Sequence, residues 1–154
     1  MFSQTVEYAM RAMLALASGD GKPMTTKRIA EIMRVPQSYL SKVLQALVRG
    51  GLVFSSRGLK GGFVLVREPS QISLLEIQNS VNPIQRITTC PLDLEGHKSD
   101  LCPLHRRLDQ AMGMVENAFA TTTLAEVLSE DNPCPTLQKQ LALLKPLTDL
   151  KPKD

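Results

Sequence analysis

This 154-residue chain lacks several features, and each absence narrows what it can be. No apolar run reaches the roughly 20 residues needed to cross a bilayer. The opening Met1-Phe2-Ser3-Gln4-Thr5-Val6-Glu7 has neither the basic start nor the apolar core of a signal peptide. A soluble, cytoplasmic protein without a membrane partner is therefore expected. There are three cysteines, an odd number that argues against a disulfide framework. Their remaining uses are apolar filler, reactive thiol or metal ligand. No glycine-rich phosphate loop precedes a helix, and there is no nucleophile elbow or pair of carboxylates placed for acid–base work. Enzyme classes built on those devices are excluded. No internal repeat is present. With 43% hydrophobic residues the chain has enough apolar surface for one domain, or one domain and an arm.

Charge is unevenly distributed. The net +3 divides into ten Lys/Arg against four Asp/Glu in residues 1–71, and eight against eleven in residues 72–154. Attraction to phosphate needs positive charge on one face rather than a high total. The basic half also carries the clearest motif, Pro36 to Gly51. Leu40, Val43, Leu44, Leu47 and Val48 recur at helical spacing and mark a buried face. Gln37, Ser38, Ser41, Lys42, Gln45 and Arg49 fall on the opposite face, which has no acidic residue. These side chains can hydrogen-bond to base edges or phosphate oxygens. A shorter helix over Thr26 to Met33 lies upstream, ended by Arg34-Val35-Pro36. Helix, tight turn and polar-faced helix make a helix-turn-helix. Thr26, Gln37, Ser38, Tyr39, Ser41, Lys42 and Gln45 are its candidate DNA contacts.

Around this motif the chain divides readily. Ser3 to Ala17 predicts a first helix with an apolar stripe of Val6, Ala9, Met10, Met13, Leu16 and Ala17. Gly50-Gly51 suits a left-handed helix end. Leu52 to Arg57 and Phe63 to Arg67, joined by Gly58-Leu59-Lys60-Gly61-Gly62, predict a hairpin wing with Arg57 and Lys60 at its tip. Ser73-Leu74-Leu75-Glu76 and Thr123-Leu124-Ala125-Glu126 are capping boxes, the first with Ile72 and Ile77 at staple spacing. They predict helices ending near Val81 and Glu130. Residues 84–101 have no period. A helix opening near Pro103 carries Leu101, Leu104, Leu108, Ala111, Val115 and Ala118 as a seam for a partner helix. Leu137 to Leu144 suits one more short helix before a frayed end. The expected fold is mainly α: a winged helix-turn-helix with a two-stranded β-wing over residues 1–70, a cysteine loop and long dimerisation helix over 71–130, and a partly flexible extension over 131–154.

The aperiodic segment gathers soft donors. Cys90, His97, Cys102 and His105 lie between Thr89 and His105, and they include both histidines of the chain. Thiolates and imidazoles suit zinc, copper(I) and iron–sulfur centres. No Cys-x-x-Cys pair marks a zinc finger.

Glu7-Tyr8-Ala9-Met10-Arg11-Ala12-Met13, Gln37-Ser38-Tyr39-Leu40, Gly50-Gly51-Leu52-Val53, Arg57-Gly58 through Gly61-Gly62-Phe63 and Cys102-Pro103-Leu104-His105 together carry a resemblance. Over about residues 1–130 the chain resembles the winged-helix transcription regulators of the IscR/NsrR/CymR family. That resemblance implies a homodimer on double-stranded DNA, crossed by a long helix. It also implies a 2Fe–2S or 4Fe–4S cluster in the loop ahead of that helix. Cys90 and Cys102 match the first and third of the family's three cysteines. The middle position is Gly96, with His97 beside it. His105 matches a ligand histidine of some members, and Glu7 an acidic residue that some members supply from the partner subunit. Cys134 is a spare thiol outside the pattern. The implied function is transcription regulation in response to redox state, nitric oxide or iron–sulfur status. Alternatives are a cluster-free regulator working by thiol oxidation, one working through zinc, and one working through a partner protein.

Overall fold

The structure is a computed structural model that describes residues 3–58, 60–90 and 101–130. His97, Cys134, the helix expected over Leu137 to Leu144 and the 131–154 extension lie outside the described residues. Helix α1 is Gln4–Ala17, α2 Thr26–Met33 and α3 Gln37–Arg49. Strands β1 (Val53–Ser56) and β2 (Gly62–Leu65) follow, then a 3-10 turn at Pro69–Gln71, α4 (Leu74–Val81), α5 (Pro103–Thr121) and α6 (Leu124–Ser129).

Local chemistry sets these limits. The Ser3 hydroxyl accepts the Val6 N–H and Thr25 accepts that of Arg28, so two orphan donors are satisfied where α1 and α2 begin. Helix α2 ends on Arg34 in the left-handed region at φ 52°, and the Val35 N–H returns to Ala30. Helix α3 ends in a Schellman motif: Gly51 at φ 71° donates to Val48, and Leu52 donates to Leu47. Leu47 and Leu52, the apolar pair that accompanies such a motif, are both buried.

The helical stripes meet in one core. Ala9, Ala12, Met13 and Leu16 of α1 pack with Ile29 and Met33 of α2 and with Leu40, Val43, Leu44 and Leu47 of α3. The same cluster takes in Leu52 and Val53, then Ile72, Ile77 and Leu124 from further along the chain. The wing pairs antiparallel, Val53 opposite Leu65 and Ser56 opposite Gly62. Its strands are shorter than the sequence predicts: Leu52, Arg57, Val66 and Arg67 fall outside them, although the Val66 N–H still donates to the Leu52 carbonyl. Met24 adds a third, single-residue rung by exchanging both backbone hydrogen bonds with Phe63. A Cβ at Gly62 would stand 2.8 Å from the Met24 backbone, so this close approach needs glycine.

Both capping boxes form: the Ser73 and Thr123 hydroxyls accept the backbone N–H of Glu76 and Glu126, and the Ser73 and Thr123 backbone N–H groups donate to the carboxylates of those glutamates. They also pair with one another: Leu74 donates to Thr122 and Leu124 donates to Ile72. This bridge returns the chain to the core at the far end of α5. Helix α5 itself has no buried residue over nineteen positions, and Leu104, Leu108, Met112 and Met114 stand exposed. Among the described residues no helix is long and apolar enough to cross a membrane.

Candidate DNA-binding surface and metal site

The outer face of α3 lies where the hydrophobic pattern predicts. Gln37, Ser38, Lys42, Gln45 and Arg49 are exposed, and Ser41 is half-buried with its hydroxyl donating to the Gln37 carbonyl. Thr26 is half-buried at the first position of α2. Arg57 and Lys60 are exposed at the wing, where Gly61 closes the turn by donating to Gly58. Tyr39 has partners that sequence reading missed. Its hydroxyl lies 2.6 Å from the Thr5 hydroxyl, and its ring meets Tyr8 edge-on at 5.4 Å. Tyr39 thus ties the start of α3 to α1, with 39% of its surface exposed.

The second cluster forms at the start of α5. Cys102 is the N-cap of that helix and Pro103 occupies its first turn. His105 sits three residues on, at N3. An N-cap side chain and an N3 side chain meet for the reason that Ser73 meets Glu76 and Thr123 meets Glu126: the geometry of the first helical turn brings them together. Here the pair is a thiol and an imidazole, with Cys102 Sγ 3.2 Å from His105 Nδ1. Cys90 comes in from the irregular segment, its Sγ 3.8 Å from the same nitrogen. The three donor atoms lie within 4.8 Å of one another; Cys90 is buried and the other two half-buried. Glu7 stands apart on α1, exposed and paired with Arg11 one turn on.

The segment that delivers Cys90 is itself held on α5. Arg86 grips Asp109 with two parallel bonds, Nε to Oδ1 at 2.7 Å and Nη2 to Oδ2 at 2.6 Å. Its third nitrogen donates to Glu116 at 3.1 Å. Asp109 Oδ1 also accepts the Ile87 backbone N–H at 2.9 Å. The Arg86 guanidinium, and after it the Ile87 N–H, hold the Asp109 carboxyl below its usual range against a smaller opposing effect of burial. The same two carboxylates raise the Arg86 pKa. Sequence reading passed over this group. Its only trace is Asp109, Gly113 and Glu116 at four- and three-residue spacing along one face of the helix.

A helix-turn-helix followed by a hairpin wing defines the class of winged-helix DNA-binding proteins. Residues 2–130 match the Rrf2 family, described as iron-dependent transcriptional regulator, and the chain belongs to that family. A relative from Haemophilus influenzae, a putative HTH-type transcriptional regulator, is 33% identical over 127 residues, spanning 81% of this chain and 84% of the relative. A like-named relative from Aquifex aeolicus is 26% identical over 132 residues, 84% of this chain and 92% of its own. Among solved structures, CymR, the global cysteine regulator of B. subtilis, is similar at a TM-score of 0.69 and 31% identity, covering 84% of this chain and 96% of CymR. IscR of T. potens is similar at 0.67 and 27%, with 83% and 85% covered. The expected winged-helix fold and family are borne out. The chain is a DNA-binding transcriptional regulator and not an enzyme.

Proposed function

We propose that this regulator works in the cytoplasm as a homodimer paired along α5, with an α3 helix of each subunit in successive major grooves and a metal centre governing the pair. Gln37, Ser38, Ser41 and Gln45 would face base edges, and Lys42 and Thr26 the phosphates. Tyr39, fixed on α1, would set the angle of α3 and border the duplex. Arg57 and Lys60 would hold the wing to the flanking backbone. The uncovered apolar row of α5 supports the pairing. A helix with no buried residue in a single chain is best stabilised by a second copy of that helix.

The convergence of Cys90, Cys102 and His105 carries the sensing part of this reading. Two thiolates and one imidazole are donors that iron–sulfur centres accept. Cys90, Cys102 and His105 would hold such a cluster, with Glu7, His97 or Cys134 as further donors. When bound, a cluster supplies a centre that reacts with oxidants or nitric oxide. The chain's part is mechanical: ligation would join the Cys90 segment to the first turn of α5, and its release would free that turn. A change at the site thereby alters the helix on which the subunits pair, and with it the spacing of the two α3 helices.

One observation favours a second occupant. A single tetrahedral zinc ion with Zn–S near 2.3 Å and Zn–N near 2.0 Å places sulfur and nitrogen about 3.5 Å apart. The sulfur–nitrogen distances here are 3.2 and 3.8 Å. Anaerobic purification followed by a visible spectrum and iron, sulfide and zinc analysis separates the two. Iron and sulfide with thiolate-to-iron absorption support the cluster, and stoichiometric zinc in a colourless protein supports the single ion. A metal-free protein that resists reconstitution with either would sink the metal centre.

A further inference from the structure

Glycine inside a helix is destabilising relative to alanine, so a glycine in the middle of a nineteen-residue helix calls for a reason. Gly113 of α5 has one. A Cβ at that position would stand 3.1 Å from Arg86 Nη1 and 3.2 Å from both Cζ and Nη2. The flat guanidinium lies on the bare helix surface there. Asp109, one turn before, takes two of its nitrogens, and Glu116, one turn after, takes the third. His105, Asp109, Gly113 and Glu116 follow one another at spacings of four, four and three residues and share one face of α5. The stripe that seats Arg86 therefore continues upward into the histidine that meets both thiols.

The anchored chain runs the same way. Arg86 and Ile87 are both bonded to the Asp109 carboxylate, and Cys90 follows three residues later. Three extended residues reach about 10 Å, while one helical turn rises about 5.4 Å. From the Asp109 anchor the Cys90 thiol therefore has the reach to meet His105 one turn up. An exposed ion pair is ordinarily worth little, but a two-pronged arginine–carboxylate contact with a backbone donor on the same oxygen is the geometry in which such pairs do count.

We propose that Arg86, seated on Asp109, Gly113 and Glu116, is the positioning residue of the metal site: it fixes the Cys90 segment to α5 so that the Cys90 thiol is preset against Cys102 and His105. Arg86 touches none of the three donors and acts through the backbone it holds. This inference rests on the metal site proposed above.

The test titrates Co(II) into the full-length apo chain without oxygen, reading the thiolate-to-cobalt absorption, with far-UV circular dichroism and a melting curve on each variant. The unmodified protein should show the band, and Cys102→Ala should lose it. Arg86→Ala should bind Co(II) about tenfold or more weakly and shift the band, with unchanged helix content. Arg86→Lys, which keeps the charge but not the fork, should fall between. Gly113→Leu, which fills the seat, should weaken binding in the same direction as Arg86→Ala. If Arg86 merely braced the fold, Arg86→Ala would lower the melting temperature and leave affinity and band untouched, and that result overturns the proposal. Absence of the band in the unmodified protein overturns a single-ion site at these three donors, and the proposal, which is tested on that site, falls with it.

Discussion

Helices α3 and α5 are written in the same code and end in opposite circumstances. Both repeat apolar residues at three- and four-residue spacing with polar residues between. In α3, Leu40, Val43, Leu44 and Leu47 are buried against α1, α2 and β1. In α5 nothing is buried, although the helix is six residues longer. Amphipathic spacing thus shows that a helix has a face to cover, without showing what covers it. The stability of the α1–α3 unit is intramolecular and independent of concentration. That of α5 follows mass action if a second copy is its cover.

The contrast breaks or sharpens most clearly under two substitutions. Leu44→Ala opens a cavity in a fully buried site and should cost about 2–5 kcal/mol in urea unfolding. Leu108→Glu places a charge on the α5 seam, where the side chain is 45% exposed in the single chain. If α5 is the pairing surface, the substitution should leave the helix content of the folded unit unchanged and lower the sedimentation coefficient to that of a monomer. A Leu108→Glu protein that sediments as the unmodified one does would remove α5 as the pairing surface. A Leu44→Ala protein within 0.5 kcal/mol of the original would mean that the core tolerates the hole by collapsing, against its close packing.

The second comparison sets the outer face of α3 against its inner one. Lys42→Ala touches no packed side chain and should change unfolding by less than about 0.5 kcal/mol. On a promoter duplex it should weaken binding severalfold at low salt and reduce the slope of log K against log salt by about one. Arg57→Ala at the wing should act in the same direction and less strongly. An unchanged salt slope for Lys42→Ala would take that residue off the phosphates.

What the sequence made legible was what short-range rules govern. The limits of α2, the Ser73 and Thr123 caps and the left-handed Gly51 each follow from residues within one helical turn. Cys102 and His105 belong with them, since N-cap and N3 are always neighbours. The missed features depend on residues far apart in sequence. The Met24–Phe63 rung joins positions 39 residues apart, and no local pattern announces a single-residue bridge. Tyr39 had polar and aromatic character suited to a duplex, but Tyr8 and Thr5 engage it from another helix. Arg86 was one arginine in an aperiodic stretch, and its partners lie 23 and 30 residues on. The delivery of Cys90 to His105 depends on such contacts, so the ligand residues were readable and the means of holding them was not.

The two capping boxes give the finest comparison, because they are the same motif paired back to back across one bridge. Ser73 and Thr123 occupy equivalent places, but only Glu76 has an arginine, with Arg67 Nη2 donating to its Oε1 at 2.6 Å. Burial acts to raise the Glu76 pKa, and the bonds from Arg67 and Ser73 outweigh it, so the net displacement is downward from 4.5. A carboxylate whose pKa is lower folded than unfolded stabilises the fold fully above its unfolded value. It loses that contribution as pH falls through the lower, folded value. Glu76→Gln should therefore flatten the acid limb of the stability curve below about pH 4.5 and cost most near neutrality. Ser73→Ala should cost about 1 kcal/mol in thermal or urea unfolding and Thr123→Ala about half that, because the Ser73 hydroxyl also donates to Glu76 Oε2 and its cap is braced by Arg67. Equal losses for the two substitutions, with an acid limb unmoved by Glu76→Gln, would show that Arg67 adds nothing to the cap and that the two helix starts are interchangeable.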